Sequence, residues 1–236
     1  MRGSTEDEEL MARALSWSEM FATWPQARRD ELLKSARLER YRRRTLVMGH
    51  GRNRREVLLV VSGCVEVGSL SAVGRKYVNA LLGPGQAAPL VRLLEEAPLG
   101  YDYHAHEDSV VVHLPADAVV AVLDADPILW REVARLALKR QRMSVSMLQG
   151  LTLGTVRRRV AATLISLAEF HGSQQESGTD LRVRLPQQDL ASLLGLSRQT
   201  VNKQLRMLVD AGVIEMSYKR LTLLDVQALS RIAAQE

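Results

Sequence analysis

The stretch QDLASLLGLSRQTVNKQLRM, from Gln188 to Met207, decides how the C-terminal part of the chain folds. It predicts two short amphipathic helices joined by a turn too tight for anything but a helix-turn-helix. Gly195 is expected to make that turn, because a residue without a Cβ most easily adopts positive φ. Ser197 is a good N-cap for the second helix, which is expected to stop at Gly212.

The second of these helices has one apolar face and one cationic face. Its apolar residues recur at helical spacing: Val201, Leu205, Leu208 and Val209. The opposite face carries hydrogen-bonding side chains, none of them acidic: Arg198, Gln199, Asn202, Lys203 and Arg206. A helix that reads the DNA major groove needs such a face, since Arg or Lys can pair with guanine and Asn or Gln with adenine. The alternative is an ordinary helical hairpin with a solvated face. The glycine turn, the cap and the lack of acids favour DNA.

The segment from Pro127 to Leu224 resembles the C-terminal half of the Crp/Fnr family of bacterial transcription regulators. The matching order is a long helix, a second helix, a strand pair, the helix-turn-helix and a small wing. That family's recognition helix usually begins Ser-Arg-Glu-Thr-Val, and here Ser197–Val201 reads Ser-Arg-Gln-Thr-Val. The resemblance implies a homodimer on double-stranded DNA, with two recognition helices reading half-sites about 34 Å apart in a near-palindrome. It also makes RNA polymerase a candidate partner.

We assign DNA contacts along the helix-turn-helix and the wing. The residues expected to contact bases are Arg198, Gln199 and Lys203. Those expected to contact backbone phosphates are Gln188, Ser197, Thr200, Lys219 and Arg220. Gln199 stands where the family commonly has Glu, and loss of the acid removes an acceptor for cytosine N4. The operator is therefore expected to depart from the family's consensus site.

Composition sets bounds on the rest of the chain. Its 236 residues have room for two modest domains, and a hydrophobic content of 46% allows real cores. No apolar run approaches the ~18 residues of a membrane span, and the acidic N-terminus does not resemble a signal peptide. One cysteine, Cys64, excludes an internal disulfide framework, so a cytoplasmic location is expected.

We predict an α+β protein of three parts. Residues 1–125 are expected to hold N-terminal helices and a sensor domain, residues 126–153 a dimerisation helix, and residues 154–236 a winged helix-turn-helix DNA-binding domain. The N-terminal helices are expected over Met11 to Arg40, after a disordered acidic start. Short β-rich runs separated by glycines indicate that the sensor is an antiparallel β barrel: Val57–Val61, Cys64–Val67, Tyr77–Leu82 and Val110–Leu114. Its glycines resemble those of the cyclic-nucleotide-binding jelly roll.

The DNA-binding part is expected to contain further elements around the helix-turn-helix. In chain order they are a helix over Val156 to Phe170, a polar loop over His171 to Thr179, a strand over Leu181–Leu185, wing strands over Val213–Ser217 and Arg220–Leu224, and a last helix over Asp225 to Ala234.

The predicted dimerisation helix starts at Asp126-Pro127, where proline suits the first turn. Its apolar residues recur at alternating four- and three-residue steps, as in a two-stranded coiled coil: Leu129, Val133, Leu136, Met143 and Met147. Arg140 interrupts the series. A helix buried against the β domain is the alternative, but the stripe is narrow and flanked by basic residues, which favours a dimer seam.

The sensor departs from the cyclic-AMP-binding members of the family. They use Gly-Glu-Leu and, later, Arg-Ser/Thr-Ala, in which Arg pairs with the cyclic phosphate and Glu accepts from the ribose. Here Pro89 and Leu90 occupy the Gly and Glu positions, and residues 99–103 contain no arginine. Desolvating a phosphate without a partner is costly, so a response to cyclic AMP in the usual mode is not expected. The residues assigned to the effector pocket are Ala88, Pro89, Leu90, Tyr101 and Tyr103, and they fit an apolar ligand or no ligand.

The alternative is a cyclic-nucleotide-, haem- or metal-responsive regulator of the same family. His104 and His106 would lie on one side of a strand and could ligate a metal or haem. We interpret them instead as solvated loop histidines and predict no metal site. No base–nucleophile or three-ligand spacing joins them to Asp102 or Glu107, so an enzyme is not expected. No motif in the sequence identifies a cofactor or an effector.

Overall fold

The computed structural model describes residues 5–50, 55–70, 76–175, 178–181, 187–217 and 220–234. These residues have an α+β architecture and form two compact units. The first is Met1–Val67 with Leu81–Gln141, and the second is Gly68–Ala80 with Arg142–Glu236. Among the described helices, none has the length and apolar character needed to span a membrane.

Two helices, α1 (Thr5–Trp17) and α2 (Gln26–Leu33), open the described chain. Helix α1 begins within the acidic stretch that was expected to be disordered, so that expectation was wrong. Acidic side chains in the first turn interact favourably with the helix dipole and help explain the early start. The predicted helix up to Arg40 was also too long. Its last residues form strand β1 (Arg37–Tyr41), which pairs antiparallel with Ser109–Pro115.

The sensor region contains two four-stranded sheets, with strand orders β1-β8-β3-β6 and β2-β7-β4-β5. After β1, the strands are β2 (Leu46–Met48), β3 (Glu56–Ser62), β4 (Val65–Leu70), β5 (Lys76–Leu82), β6 (Ala87–Ala88), β7 (Asp102–Ala105) and β8 (Ser109–Pro115). The four predicted strands are present, each shifted by one to three residues at one or both ends. Four strands went unpredicted, because β1 is rich in charge and β2, β6 and β7 have only two to four residues.

One face of the first sheet packs against helices. Side chains that alternate along β3 and β8, such as Val57 and Leu114, contribute to a core that also takes residues from α1 and α2. Helix α3 (Ala116–Ala125) and a short 3-10 helix (Leu90–Leu93) add to this core. The long helix α4 (Leu129–Leu153) then follows a turn that contains Pro127, so it begins two residues later than predicted.

The first half of α4 is buried against its own unit. Leu129, Val133 and Leu136 are only 4%, 7% and 7% exposed, and all three belong to the core around α1 and the first sheet. They were assigned to a dimer seam, and in this conformation they are not accessible to a second chain. The apolar spacing correctly predicted a helix. The first half of that helix packs against the β domain and its covering helices. Met143 is half-buried, and nothing is described for the side chain of Met147.

The second unit contains the helix-turn-helix. Its elements are α5 (Val156–His171), β9 (Gly172–Gln175), β10 (Gly178–Leu181), α6 (Gln187–Leu194), α7 (Arg198–Asp210), β11 (Ile214–Ser217), β12 (Arg220–Leu223) and α8 (Val226–Ala234). The strands form one sheet in the order β11-β12-β10-β9. The polar loop predicted over His171 to Thr179 was wrong, because β9 and β10 pair there as a hairpin. Of the strand predicted over Leu181–Leu185, only Leu181 lies within the described residues.

Candidate DNA-binding surface and sensor site

The turn between α6 and α7 has the predicted geometry. Gly195 has φ +63°, in the region that glycine adopts without strain. The amide of Leu196 donates to the carbonyl of Ala191 at 2.9 Å, which closes the end of α6. Ser197 caps α7, since its hydroxyl accepts from the amide of Thr200 at 3.1 Å. The chain reversal and the start of α7 are therefore fixed by residues inside the motif.

The two helices bury one face each against the rest of the unit. In α6 the buried residues are Leu190, Ala191, Leu193 and Leu194, and in α7 they are Val201, Leu205 and Leu208. Val209 was also predicted on the buried face, but it is 38% exposed near the end of α7. The packing leaves the opposite face of α7 pointing away from the core.

That opposite face is cationic and open. Arg198, Gln199, Lys203 and Arg206 are all exposed, and we call these four the recognition face. Asn202 beside them is half-buried, and its oxygen accepts from the Gln187 amide at 3.4 Å. Within the described part of the chain, no carboxylate lies within ion-pair distance of Arg198, Lys203 or Arg206. Their donors can therefore be directed to an external acceptor such as a base edge or a phosphate.

The residues assigned to phosphate contacts differ in their settings. Gln188 is exposed on the first turn of α6. The hydroxyls of Ser197 and Thr200 lie 2.8 Å apart and take part in the cap of α7. Arg220 begins β12, and Lys219 lies outside the described residues.

Two arginines of α5 bond to the ends of other helices, Arg159 to α6 of the motif and Arg158 to α8, and the sequence analysis missed both. The guanidinium of Arg159 donates to the carbonyl of Leu194, at the C-terminal end of α6. Arg158 donates through Nε to the carbonyl of Ala233 at 2.9 Å, near the end of α8. Cations stabilise helix C-termini, where carbonyls lack intrahelical partners. The run of three arginines at the start of α5 was the signal that could have revealed them.

The residues assigned to an effector pocket are all buried or half-buried. Ala88, Pro89 and Tyr103 are buried, and Leu90 and Tyr101 are half-buried. The rings of Tyr101 and Tyr103 meet edge to face, with centroids 5.8 Å apart. Burial raises the pKa of Tyr103 far above its ordinary value, so its hydroxyl stays protonated. The residues assigned to the pocket are therefore aromatic and aliphatic, and the two tyrosine rings are in contact.

Two arginines lie beside this region, and the sequence reasoning assigned neither to it. Arg92, in the 3-10 helix, is 2% exposed and donates to the carbonyls of Glu96 and Ala97 at 3.2 and 2.9 Å. Arg140, on α4, donates to the carbonyl of Ala87 at 2.7 Å. The interruption of the apolar series at Arg140 was the available signal. The sensor site therefore has buried and half-buried cations as well as apolar residues.

The histidines do not share one strand face. Strand β7 ends at Ala105, so His104 lies on it and His106 follows it. His104 is half-buried, while His106 is 7% exposed and its Nδ1 lies 3.5 Å from a carboxylate oxygen of Glu66. The interpretation of His106 as a solvated loop residue was therefore wrong. In the part of the chain that the structure describes, no group of three His, Cys, Asp or Glu side chains could hold a metal ion.

A separate polar cluster surrounds His113 on β8. Its Nδ1 lies 2.9 Å from Glu56, and its Nε2 lies 2.8 Å from the Tyr41 hydroxyl. The hydrogen bond with His113 lowers the pKa of Glu56 to about 2, against the effect of burial and with further help from Arg37. The cavity beside these residues measures about 40 Å³, whereas small-molecule sites typically occupy ~300–1,000 Å³. It is too small for an effector.

The thiol of Cys64 is buried between β3 and β4. Burial raises its pKa well above the ordinary value, with a further contribution from nearby carboxylates. A thiol in this state is unreactive, in keeping with its interpretation as a small hydrophobic residue.

Two family models match this chain. Residues 38–126 match the cyclic nucleotide-binding domain and residues 158–232 match the Crp-like helix-turn-helix domain. A CRP-like cAMP-activated global transcriptional regulator of Mycobacterium tuberculosis is 26% identical over 187 residues, 79% of this chain and 84% of the relative. The cyclic AMP receptor protein of Thermus thermophilus is 29% identical over 175 residues, covering 74% and 78% of the two chains.

The solved structures agree on the fold. FixK2 from Bradyrhizobium japonicum superposes with a TM-score of 0.74 at 21% identity, over 85% of this chain and 98% of FixK2. The two matched domains stand in the same order as the two sheets and the helix-turn-helix of the structure. The chain therefore belongs to the Crp/Fnr family of transcription regulators.

Proposed function

We propose that the protein is a sequence-specific DNA-binding regulator that acts as a homodimer on a near-palindromic operator. The observation that carries this proposal is the recognition face of α7, whose four polar side chains are exposed while the opposite face is buried. Arg198 sits at the N-terminal end of α7, the part of a recognition helix that approaches base edges most closely. We assign base contacts to Arg198, Gln199 and Lys203, with Arg206 flanking them.

A second face of α4, apolar except at Gln141, supports the homodimer. Its residues recur at steps of four, three, four and three, and all are exposed: Ala134, Leu138, Gln141, Val145 and Leu148. We call them the outer stripe. Leu138, Val145 and Leu148 are 57%, 47% and 62% exposed, which is high for large apolar side chains on one helix face. This spacing suits a two-stranded coiled coil, so the proposed seam moves from the buried face to the outer stripe.

We propose that cyclic AMP does not regulate this protein as it does the relatives that are named for a response to cyclic AMP. Leu90 supplies no carboxylate for a ribose hydroxyl, and Arg92 directs its guanidinium to the carbonyls of Glu96 and Ala97. The expected result is an unchanged melting temperature in millimolar cyclic AMP. A ligand selective for the folded state at 100 times its Kd adds about 2.7 kcal/mol of stability. A clear upward shift at micromolar nucleotide would support the alternative, a cyclic-nucleotide-responsive regulator.

Haem- or metal-dependent sensing is the other alternative, and no contact among the described residues favours it. We also propose a cytoplasmic location, as for a protein that acts on DNA, and RNA polymerase as a partner once the protein is bound to its operator.

The direct test of DNA binding is selection from a pool of random duplexes followed by binding isotherms. We expect enrichment of a two-fold-related pair of half-sites one helical turn apart, bound at least ~10³-fold more tightly than scrambled DNA. Equal affinity for all sequences would overturn the proposal.

A further inference from the structure

The loop between α1 and α2 ties two parts of the sensor unit together. The backbone amide of Glu19 donates to the carbonyl of Gly85 at 2.8 Å, in the turn that leads into β6. The ring of Trp17 covers the same turn, since a Cβ on Gly85 would lie 2.6 Å from the nearest ring atom. Backbone and ring contacts therefore hold the loop at Glu19 against the turn that contains Gly85.

The carboxylate of Glu19 reaches the long helix. One of its oxygens lies 3.1 Å from Nη2 of Arg140, and the other lies 3.3 Å from Nζ of Lys139. Only 19% of the Glu19 side chain is exposed. Charge-assisted bonds of this kind are about twice as strong as neutral ones, and partial burial reduces their screening by solvent.

Arg140 completes a connection between three elements. While Nη2 pairs with Glu19, Nη1 donates to the carbonyl of Ala87 on β6 at 2.7 Å. One guanidinium thus joins the α1–α2 loop, the β6 segment and α4. Ala87 is adjacent to Ala88 of the candidate effector pocket, and Arg140 lies one residue before Gln141 of the outer stripe.

We propose that Glu19 acts as a built-in anionic ligand, whose carboxylate occupies an anion site formed by Arg140 and Lys139 and holds β6 against α4 without an external effector. This inference rests on the proposed function for its DNA readout. The chemical class that fits the site is a small carboxylate. An external anion could enter only where the Glu19 carboxylate is absent.

Chemical rescue tests this inference. Glu19→Ala leaves space for a small anion, so operator affinity is expected to fall about fivefold or more, the range of ordinary coupling between sites. Sodium acetate should restore the affinity relative to sodium chloride at equal ionic strength, which controls for the salt dependence of DNA binding. In Glu19→Gln the amide fills the same space without the negative charge. The operator affinity of this variant should therefore fall, and acetate should not restore it. Replacing acetate by phosphate tests the ligand class, and better rescue by phosphate would contradict a carboxylate site.

A matched control and a second readout separate this inference from the proposed function. Asp7→Ala breaks a different ion pair of the same unit, from α1 to Arg40 of β1 at 2.7 Å, which does not involve α4. It should change operator affinity less than twofold, with no acetate effect. Amide hydrogen exchange needs no DNA, and it should speed up around residues 85–88 in Glu19→Ala and slow again with acetate. Parent-like affinity and exchange in Glu19→Ala, or equal effects of acetate and chloride, would overturn the inference. If the parent protein itself shows no preference for an operator, the proposed function is overturned instead. The hydrogen-exchange result would then still decide whether Glu19 acts as a built-in ligand.

Discussion

The first half of α4 and the whole of α7 each bury one face in their own unit, but the two helices differ in the chemistry of the other face. On α7 that face is cationic and hydrophilic, as in Arg198 and Lys203, and it is stable in water without a partner. On α4 the remaining face carries Leu138, Val145 and Leu148, each about half exposed or more. A row of large apolar side chains on one helix indicates a protein partner. The exposed face of α7 needs no protein partner, whereas we propose that the exposed face of α4 packs against a second chain.

The largest expected effect separates the two apolar faces of α4. Leu136→Ala removes a side chain from the unit's own core, so the free energy of unfolding should fall by about 2–5 kcal/mol. Leu138→Ala, two residues on, should change the stability of the monomer by less than about 0.5 kcal/mol and weaken dimerisation instead. Urea unfolding at concentrations below the dimer dissociation constant, together with sedimentation of both variants, measures the two effects. Equal loss of monomer stability in both variants would remove the distinction between the faces.

The next effect sharpens the description of α7. Arg198→Ala should cost about 1–3 kcal/mol of binding free energy on the selected operator, because a bidentate contact to guanine is lost. The cost should vanish on an operator in which that guanine is replaced. Gln188→Ala, at the start of α6, should weaken all sequences alike, as expected for a phosphate contact. Binding isotherms on selected and scrambled duplexes measure both. If Arg198→Ala weakens both duplexes equally, Arg198 contacts phosphate.

The smallest effect concerns the start of α7. Ser197→Ala removes the side chain that accepts from the Thr200 amide, and loss of such a cap costs about 0.5–2 kcal/mol. Ser192→Ala is a matched control, since its hydroxyl only bonds back to the Gln188 carbonyl one turn earlier. That substitution should be nearly neutral. Thermal unfolding of the two variants provides the measurement, and an equal drop in Tm would contradict the capping role.

The sequence was most informative where structure is determined locally. The turn at Gly195, the cap at Ser197 and the two faces of α7 depend on residues within a few positions of one another, and all three were predicted correctly except for Val209, which is exposed. The hairpin of β9 and β10 was missed because its residues are polar. β10 pairs with β12, some 40 positions along the chain, and periodicity does not reveal such pairing.

The main error was the assignment of the buried face of α4 to a dimer seam, and this error has a physical reason. A series such as Leu129, Val133 and Leu136 shows that one side of a helix is buried, but not whether the covering surface belongs to the same chain. The N-terminal helices and the first sheet cover it here. The ion pairs of Glu19 with Lys139 and Arg140 were equally hidden, since 120 residues separate the partners in the sequence. The assignments of DNA contacts remain predictions.

Cysteine cross-linking tests the central claim, that the outer stripe of α4 joins two chains. In a Cys64→Ser background, Leu148→Cys would place one thiol of each chain beside its two-fold mate. Leu136→Cys, on the buried face, is the control. Mild oxidation is expected to convert the Leu148→Cys protein to a disulfide-linked dimer that still binds the operator, while the Leu136→Cys protein stays monomeric on a denaturing gel. Cross-linking at position 136 and none at position 148 would contradict it.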